Sequence, residues 1–184
     1  MSELDQLIQL LLARSVRHGD FVLASGRRSS YYIDARLTTM SAPGLALIGR
    51  TGLAAIRAAG WAPQALGGLT MGADPVAYAI ATATVNSPPI IDAFSVRKEA
   101  KGHGTKRRIE GNFAPGTKVV VVEDVITSGG SALEAIRAVE EEGGLVLGVL
   151  AVVDREEGGR EAILASGKDV VSLATTTYLG LKKS

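Results

Sequence analysis

Glu123 and Asp124 are adjacent carboxylates that follow directly on Val119, Val120, Val121 and Val122. After them come Val125, Ile126, Thr127, Ser128, Gly129, Gly130 and Ser131, and a helical pattern begins near Ala132. A run of β-branched residues of this kind reads as a buried parallel strand. The helix beyond the turn offers backbone N–H groups without intrahelical partners, and its dipole favours an anion, so residues 127–131 suit a phosphate. Two carboxylates facing that phosphate would repel it. They are expected to face sugar hydroxyls, or a cation shared with a second phosphate. The combination predicts a ribose phosphate ligand. No Gly-x-x-x-x-Gly-Lys-Ser/Thr loop occurs, and no Gly-x-Gly-x-x-Gly fingerprint. The bland alternative is an ordinary strand–turn–helix with surface acids.

A second cluster begins at Arg97-Lys98-Glu99-Ala100-Lys101-Gly102-His103-Gly104 and extends to about residue 112. Between residues 97 and 110 there are six Lys or Arg against two Glu, a surplus of +4 in a chain of net charge +1. The rest of the chain is therefore net negative. A long loop in a compact domain is usually functional or disordered, and Gly102 and Gly104 give this one freedom to fold over a ligand. A basic lid suits a leaving group that gathers negative charge, such as pyrophosphate. Taken alone, it also reads as a solvated run of charge.

These groups need a scaffold, and the alternation of patterns supplies one. Helical spacing covers residues 4–16, with His18 expected at that helix's C-terminus; short strands are expected at 21–23 and 31–34, where Tyr31 and Tyr32 read as strand packing, one of them able to line a pocket. A helix from about Pro43 to Ala59 follows, then strands at 64–69, 90–96, 118–122, 145–153 and 170–173, with helices at 73–83, 131–142 and 159–166. Strands and helices in alternation predict an α/β fold: a central, mostly parallel sheet flanked by helices. The 184 residues are read as one domain, 46% hydrophobic and without cysteine, which excludes disulfides, thiol catalysis and cysteine-held metal. Near-neutral net charge argues against a general nucleic-acid or membrane-surface partner. With no signal peptide pattern and no apolar run of about 20 residues, a cytoplasmic protein is expected. His18 and His103 lie too far apart for metal-ligand spacing. Trp61 is expected in packing or at an interface.

The 119–131 stretch resembles the phosphoribosyl-pyrophosphate (PRPP) motif of type I phosphoribosyltransferases, and Arg-Lys-Glu-Ala-Lys-x-His-Gly at 97–104 resembles the lid of the orotate phosphoribosyltransferases. Residues 21–36 and 153–159 resemble that family too. The resemblance implies the type I phosphoribosyltransferase fold with a small N-terminal hood, about residues 1–40, and a flexible basic lid, about 97–112. It implies transfer of ribose 5-phosphate from PRPP to N1 of orotate, giving orotidine 5′-monophosphate and pyrophosphate in pyrimidine biosynthesis. By the same resemblance Lys101, Asp124 and Glu123 are catalytic. Arg97, Lys98, Lys101, His103 and residues 123–131 hold PRPP, and Thr127, Arg155, Ser25 and Gly26 hold orotate. No protein metal site is implied: Mg2+ is held through substrate and water. A homodimer is implied, with the lid reaching the neighbouring active site. Many relatives carry lysine where this chain has Ala24 and within the 70–72 loop, so electrostatic work shifts to Arg97, Lys98, Lys101 and Arg28. Alternatives are a purine or uracil phosphoribosyltransferase, which shares the acid pair but not this lid, and a non-catalytic PRPP-sensing regulator.

Overall fold

The structure, a computed structural model, describes residues 1–22, 26, 28–99 and 108–181. In chain order the elements are α1 (Glu3–Arg14), β1 (Val16–Val22), β2 (Arg28–Ile33), α2 (Arg36–Thr39), α3 (Ala42–Ala58), β3 (Ala65–Leu69) and α4 (Ala73–Thr84). They continue with β4 (Asp92–Val96), β5 (Ile109–Gly111), β6 (Lys118–Ile126), α5 (Gly130–Glu141), β7 (Leu145–Asp154), α6 (Gly159–Ala165) and β8 (Val170–Thr175). Ser2 caps α1 by accepting from the Asp5 N–H while Asp5 accepts from the Ser2 N–H, a reciprocal pair that satisfies two end donors.

Six strands form one sheet in the order β5-β4-β3-β6-β7-β8, and β1 and β2 form a separate antiparallel ribbon. Every pairing in the large sheet is parallel except β4 with β5. The expected α/β sheet flanked by helices is therefore what the chain builds. From β3 the chain moves outward to β4, then returns to place β6 on the other side of β3. The order reverses between β3 and β6, and in open α/β sheets such a switch point opens a crevice at the carboxyl ends of the strands.

Side-chain alternation along β6 divides the core. Val120 and Val122 pack with α1, α3 and α4 through Leu7, Ile48, Ile56, Val76 and Ile80. Val119 and Val121 pack on the opposite face with Ala135, Ile136 and Val139 of α5 and Ile163 of α6. A strand buried on both faces reads as a continuous apolar run, which is why this one carries four consecutive valines.

Several boundaries differ from expectation. β6 continues through Glu123 and Asp124 to Ile126, since all of these residues except Asp124 and Glu123 favour strands and β7 pairs with them up to Ile126↔Asp154. His18 does not end the first helix; it stands in β1 opposite Tyr31, because α1 stops at Arg14 and Ser15 caps it. β5 and α2 have no counterpart in the sequence patterns: three and four residues are too short to show a period. Trp61 packs its ring on the β7 backbone, at the place where a Cβ on Gly148 would lie 2.2 Å from Cζ2. No helix among the described residues is long and apolar enough to cross a membrane.

Candidate active site

β6 delivers the two acids to the switch-point crevice, and because side chains alternate along a strand it sends them to opposite faces. Glu123 lines a cavity of ≈ 100 Å³ together with Val125, Ile126, Thr127, Ser128, Gly129, Gly130, Ser131 and Ala132. The cavity lies at the start of α5, where the phosphate cradle is expected. Asp124 lies on the other side, against the loop after β3: a Cβ on Gly72 would sit 2.5 Å from its Oδ1. Although they leave the strand on different faces, the two carboxyls are close enough to interact, and Glu123 is the one that lines the turn at residues 127–131.

A carboxylate under a phosphate should repel it, and the burial of Glu123 removes the conflict. The residue is only 6% exposed and its Oε2 has no hydrogen-bond partner among the described residues. Desolvation foremost, and then the charge of Asp124, push its carboxyl up to about 9, so it is neutral near pH 7. Asp124 is part-exposed, and the Val125 N–H donates to its Oδ1 at 2.8 Å.

The cradle depends on close backbone packing. Gly129 caps α5 at φ 80, a left-handed conformation that glycine adopts without penalty. A Cβ there would lie 2.8 Å from the Gly159 carbonyl oxygen, and one on Gly159 would lie 2.6 Å from the Thr127 carbonyl oxygen and 2.7 Å from the Gly129 nitrogen. The start of α6 is therefore pressed directly onto the turn. Thr127, Ser128 and Ser131 are exposed, with hydroxyls available to a ligand.

On the Asp124 side, the loop after β3 is pinned by Asp74. Thr70 donates its hydroxyl to Asp74 Oδ2, and Ser95 donates to Oδ1 at 2.7 Å. Asp74, legible in sequence only as a helix-opening residue, holds the Thr70–Gly72 loop to the end of β4.

Arg155 follows β7 and its backbone N–H donates to the Ile126 carbonyl, which joins it to the end of β6. It is no surface cation: it is 6% exposed, its guanidinium lies 5.7 Å from the centroid of the buried Tyr31 ring, and its Nε donates to Glu157 Oε1 at 3.0 Å. Nη2 also comes within 2.8 Å of that oxygen, but without hydrogen-bond alignment, so it keeps donor capacity. Tyr31 is buried beside Arg155, whereas Tyr32 is exposed and packs on Phe21 with ring centroids 5.8 Å apart.

At the end of β4, where the expected lid begins, Arg97 Nε pairs with Glu110 Oε1 at 3.1 Å, while Lys98 is exposed. Arg108 donates to the carbonyl oxygens of Arg97 and Lys98 and pairs with Glu134 of α5 at 2.5 Å. Arg97 and Arg108, two basic residues of the segment expected to form a lid, therefore already have partners in β5 and α5. Arg28 pairs with Asp20 at 3.3 Å, both well exposed. Gly26 takes φ 80. Ala24, Ser25, Lys101 and His103 lie outside the described residues.

Residues 42–174 match the family described as "Phosphoribosyl transferase domain". The orotate phosphoribosyltransferase of Aquifex aeolicus is 48% identical over 176 residues, covering 94% of this chain and 95% of that protein. The chain belongs to the orotate phosphoribosyltransferases. Solved members share its fold. The Mycobacterium tuberculosis orotate phosphoribosyltransferase in complex with Fe(III) dicitrate superposes with a TM-score of 0.86 at 47% identity, covering 98% of this chain and all of that one. The same enzyme in complex with 5-phospho-alpha-D-ribosyl 1-diphosphate gives 0.82 at 42% identity, covering 98% and 100%. In this orotate phosphoribosyltransferase no group of three or more His, Cys, Asp or Glu is placed to hold an ion among the described residues. A hard cation that keeps its waters and binds mainly through substrate oxygens needs no such cage. The part-exposed carboxylate of Asp124, at the mouth of the crevice, fits that arrangement.

Proposed function

We propose that this orotate phosphoribosyltransferase transfers ribose 5-phosphate from PRPP to N1 of orotate, in pyrimidine biosynthesis, through the residues of the switch-point crevice. The observation that carries the assignment of roles is the ≈ 100 Å³ cavity at the start of α5, floored by a buried Glu123, with Asp124 next to it in β6 and Arg155 joined to the end of β6 through the Ile126 carbonyl. The 5′-phosphate sits in the cradle, held by the N–H groups and hydroxyls of residues 127–131. A neutral Glu123 beneath it accepts or donates a hydrogen bond without adding negative charge. Asp124 faces the ribose hydroxyls and the diphosphate side of the crevice. Arg155, with Thr127, holds the base, and Ser25 and Gly26 approach its carboxylate.

The N1 of orotate displaces pyrophosphate at the anomeric carbon with inversion, through a transition state of oxocarbenium character. Charge builds on the leaving oxygens, and Lys101, Lys98, Arg97 and His103 stabilise it while excluding water that would hydrolyse PRPP. Arg97 must exchange Glu110 for the diphosphate to do so. Asp124 would face the Mg2+ that PRPP brings with it, and that ion, when bound, would supply partial neutralisation of the diphosphate charge.

The enzyme acts as a homodimer in this reading, with the lid of one subunit over the site of the other. An apolar groove of ≈ 730 Å³ between α3 and α4, lined by Leu45, Gly49, Leu53, Tyr78, Ala79 and Ala83 among others, supports a second copy on that face. The testing experiment follows orotate consumption by ultraviolet absorbance with PRPP and Mg2+, with uracil and hypoxanthine in parallel. Turnover of orotate alone is expected; preference for either other base overturns the substrate assignment.

A further inference from the structure

Arg155 poses a problem of orientation. A guanidinium has donors on every edge, and a buried one with freedom to rotate would recognise many bases weakly. Its side chain is 7% exposed and that of Glu157 is 12% exposed, so the pair is shielded from water and each fixes the other. Glu157 Oε1 takes the Nε edge at 3.0 Å, and the Tyr31 ring bounds the guanidinium at 5.7 Å. Nη2 lies 2.8 Å from the same oxygen without hydrogen-bond alignment, so its N–H groups stay available to a further acceptor.

The turn carrying this pair is itself tightly held. Glu156 adopts φ 54, uncommon for a residue with a side chain. Its N–H donates to Asp154 Oδ1 at 2.8 Å, and its Oε2 accepts from the Thr176 hydroxyl and the Thr177 N–H, each at 2.7 Å. Thr176 also donates to the Arg155 carbonyl at 3.1 Å. Asp154 and Thr176 are 2% and 1% exposed. Non-glycine residues persist in left-handed conformations where surrounding bonds over-determine them, commonly at functional sites.

We propose that Glu157 is the positioning residue for base recognition: it holds Arg155 by the Nε edge against Tyr31, so that only the remaining guanidinium edge is presented to the pyrimidine. This rests on the reading of Arg155 as the base's partner. Glu157 does not touch the base. It restricts which donors the base meets.

The test is steady-state kinetics with orotate and PRPP varied separately, on the unaltered enzyme and on Glu157→Ala, Glu157→Asp and Glu157→Gln. Glu157→Ala is expected to raise the orotate KM about 10–100-fold, the range for a lost hydrogen bond to a charged group, with the PRPP KM within about 2-fold. Glu157→Gln keeps an acceptor at the same reach and is expected to lose least; Glu157→Asp keeps the charge but not the reach and should fall between. That order stands on its own if Glu157→Ala does not fold. An unchanged orotate KM, equal rises in both KM values, or Gln as damaging as Asp overturns the assignment of Glu157. Absence of orotate turnover in the unaltered enzyme overturns the functional reading and this assignment with it.

Discussion

The charge of Glu123 is set by what packs over it. Its folded carboxyl is pushed up to about 9 from an ordinary 4.5, first by desolvation and then by Asp124. Between those values the folded protein holds a proton that the unfolded chain releases. Stability is therefore complete below about pH 4.5 and declines as pH rises toward 9. Glu123→Gln, neutral at every pH, should leave the Tm unchanged near pH 5 and raise it near pH 9 relative to the unaltered enzyme. Melting curves across that range check this; parallel slopes for the two proteins would refute a neutral Glu123. The acid pair was plain in sequence, but its charge was not, because desolvation depends on what packs above a residue and not on its neighbours in the chain. Arg155 is similar: two glutamates follow it in the chain, but only packing against Tyr31 and Glu157 makes its ion pair a buried one.

At the scale of elements, the site is made by backbones in close approach. Gly159 has room for no side chain: a Cβ would lie 2.5 Å from Ile126 Cγ2 as well as against the turn. Gly159→Ala should cost about 1–3 kcal/mol through overpacking. At roughly 2–4 °C per kcal/mol for a chain of this size, thermal melting should register the loss. The displaced cradle should also raise the PRPP KM, and a rise in orotate KM alone would argue against the cradle. Gly72→Ala should act on the other face, pushing Asp124 from its place beside the β3 loop and lowering kcat by about 10-fold or more, on the scale of a misplaced catalytic group. A single-turnover rate equal to that of the unaltered enzyme would remove Asp124 from the chemistry. The long elements, α3, α4, α5, β6 and β7, were legible because many residues repeat their period. The short β5 was not, since three residues show no period and its partner β4 decides that it is a strand. The strand extension through Glu123 and Asp124 escaped for a related reason: β7 beside it supplies the ladder that their own propensities do not favour.

For the whole molecule, the homodimer has a direct test. Sedimentation of the enzyme should give twice the chain mass of 19.1 kDa. Mixing Lys101→Ala with Asp124→Asn subunits should restore activity in hybrid dimers that contain one intact site, whereas no recovery would mean that each lid serves its own subunit. By itself the sequence determined the alternation of strands and helices, the strand that ends in two acids, the turn that suits a phosphate and the concentration of positive charge at the lid, because periodicity, turn chemistry and charge are local properties. What needed the folded chain is the burial that leaves Glu123 neutral beside Asp124, the close contacts that keep Gly72 and Gly159 bare, and the packing of Arg155 between Glu157 and Tyr31. Each of these follows from the packing of segments distant in sequence, and burial, desolvation and close approach exist only once those segments meet.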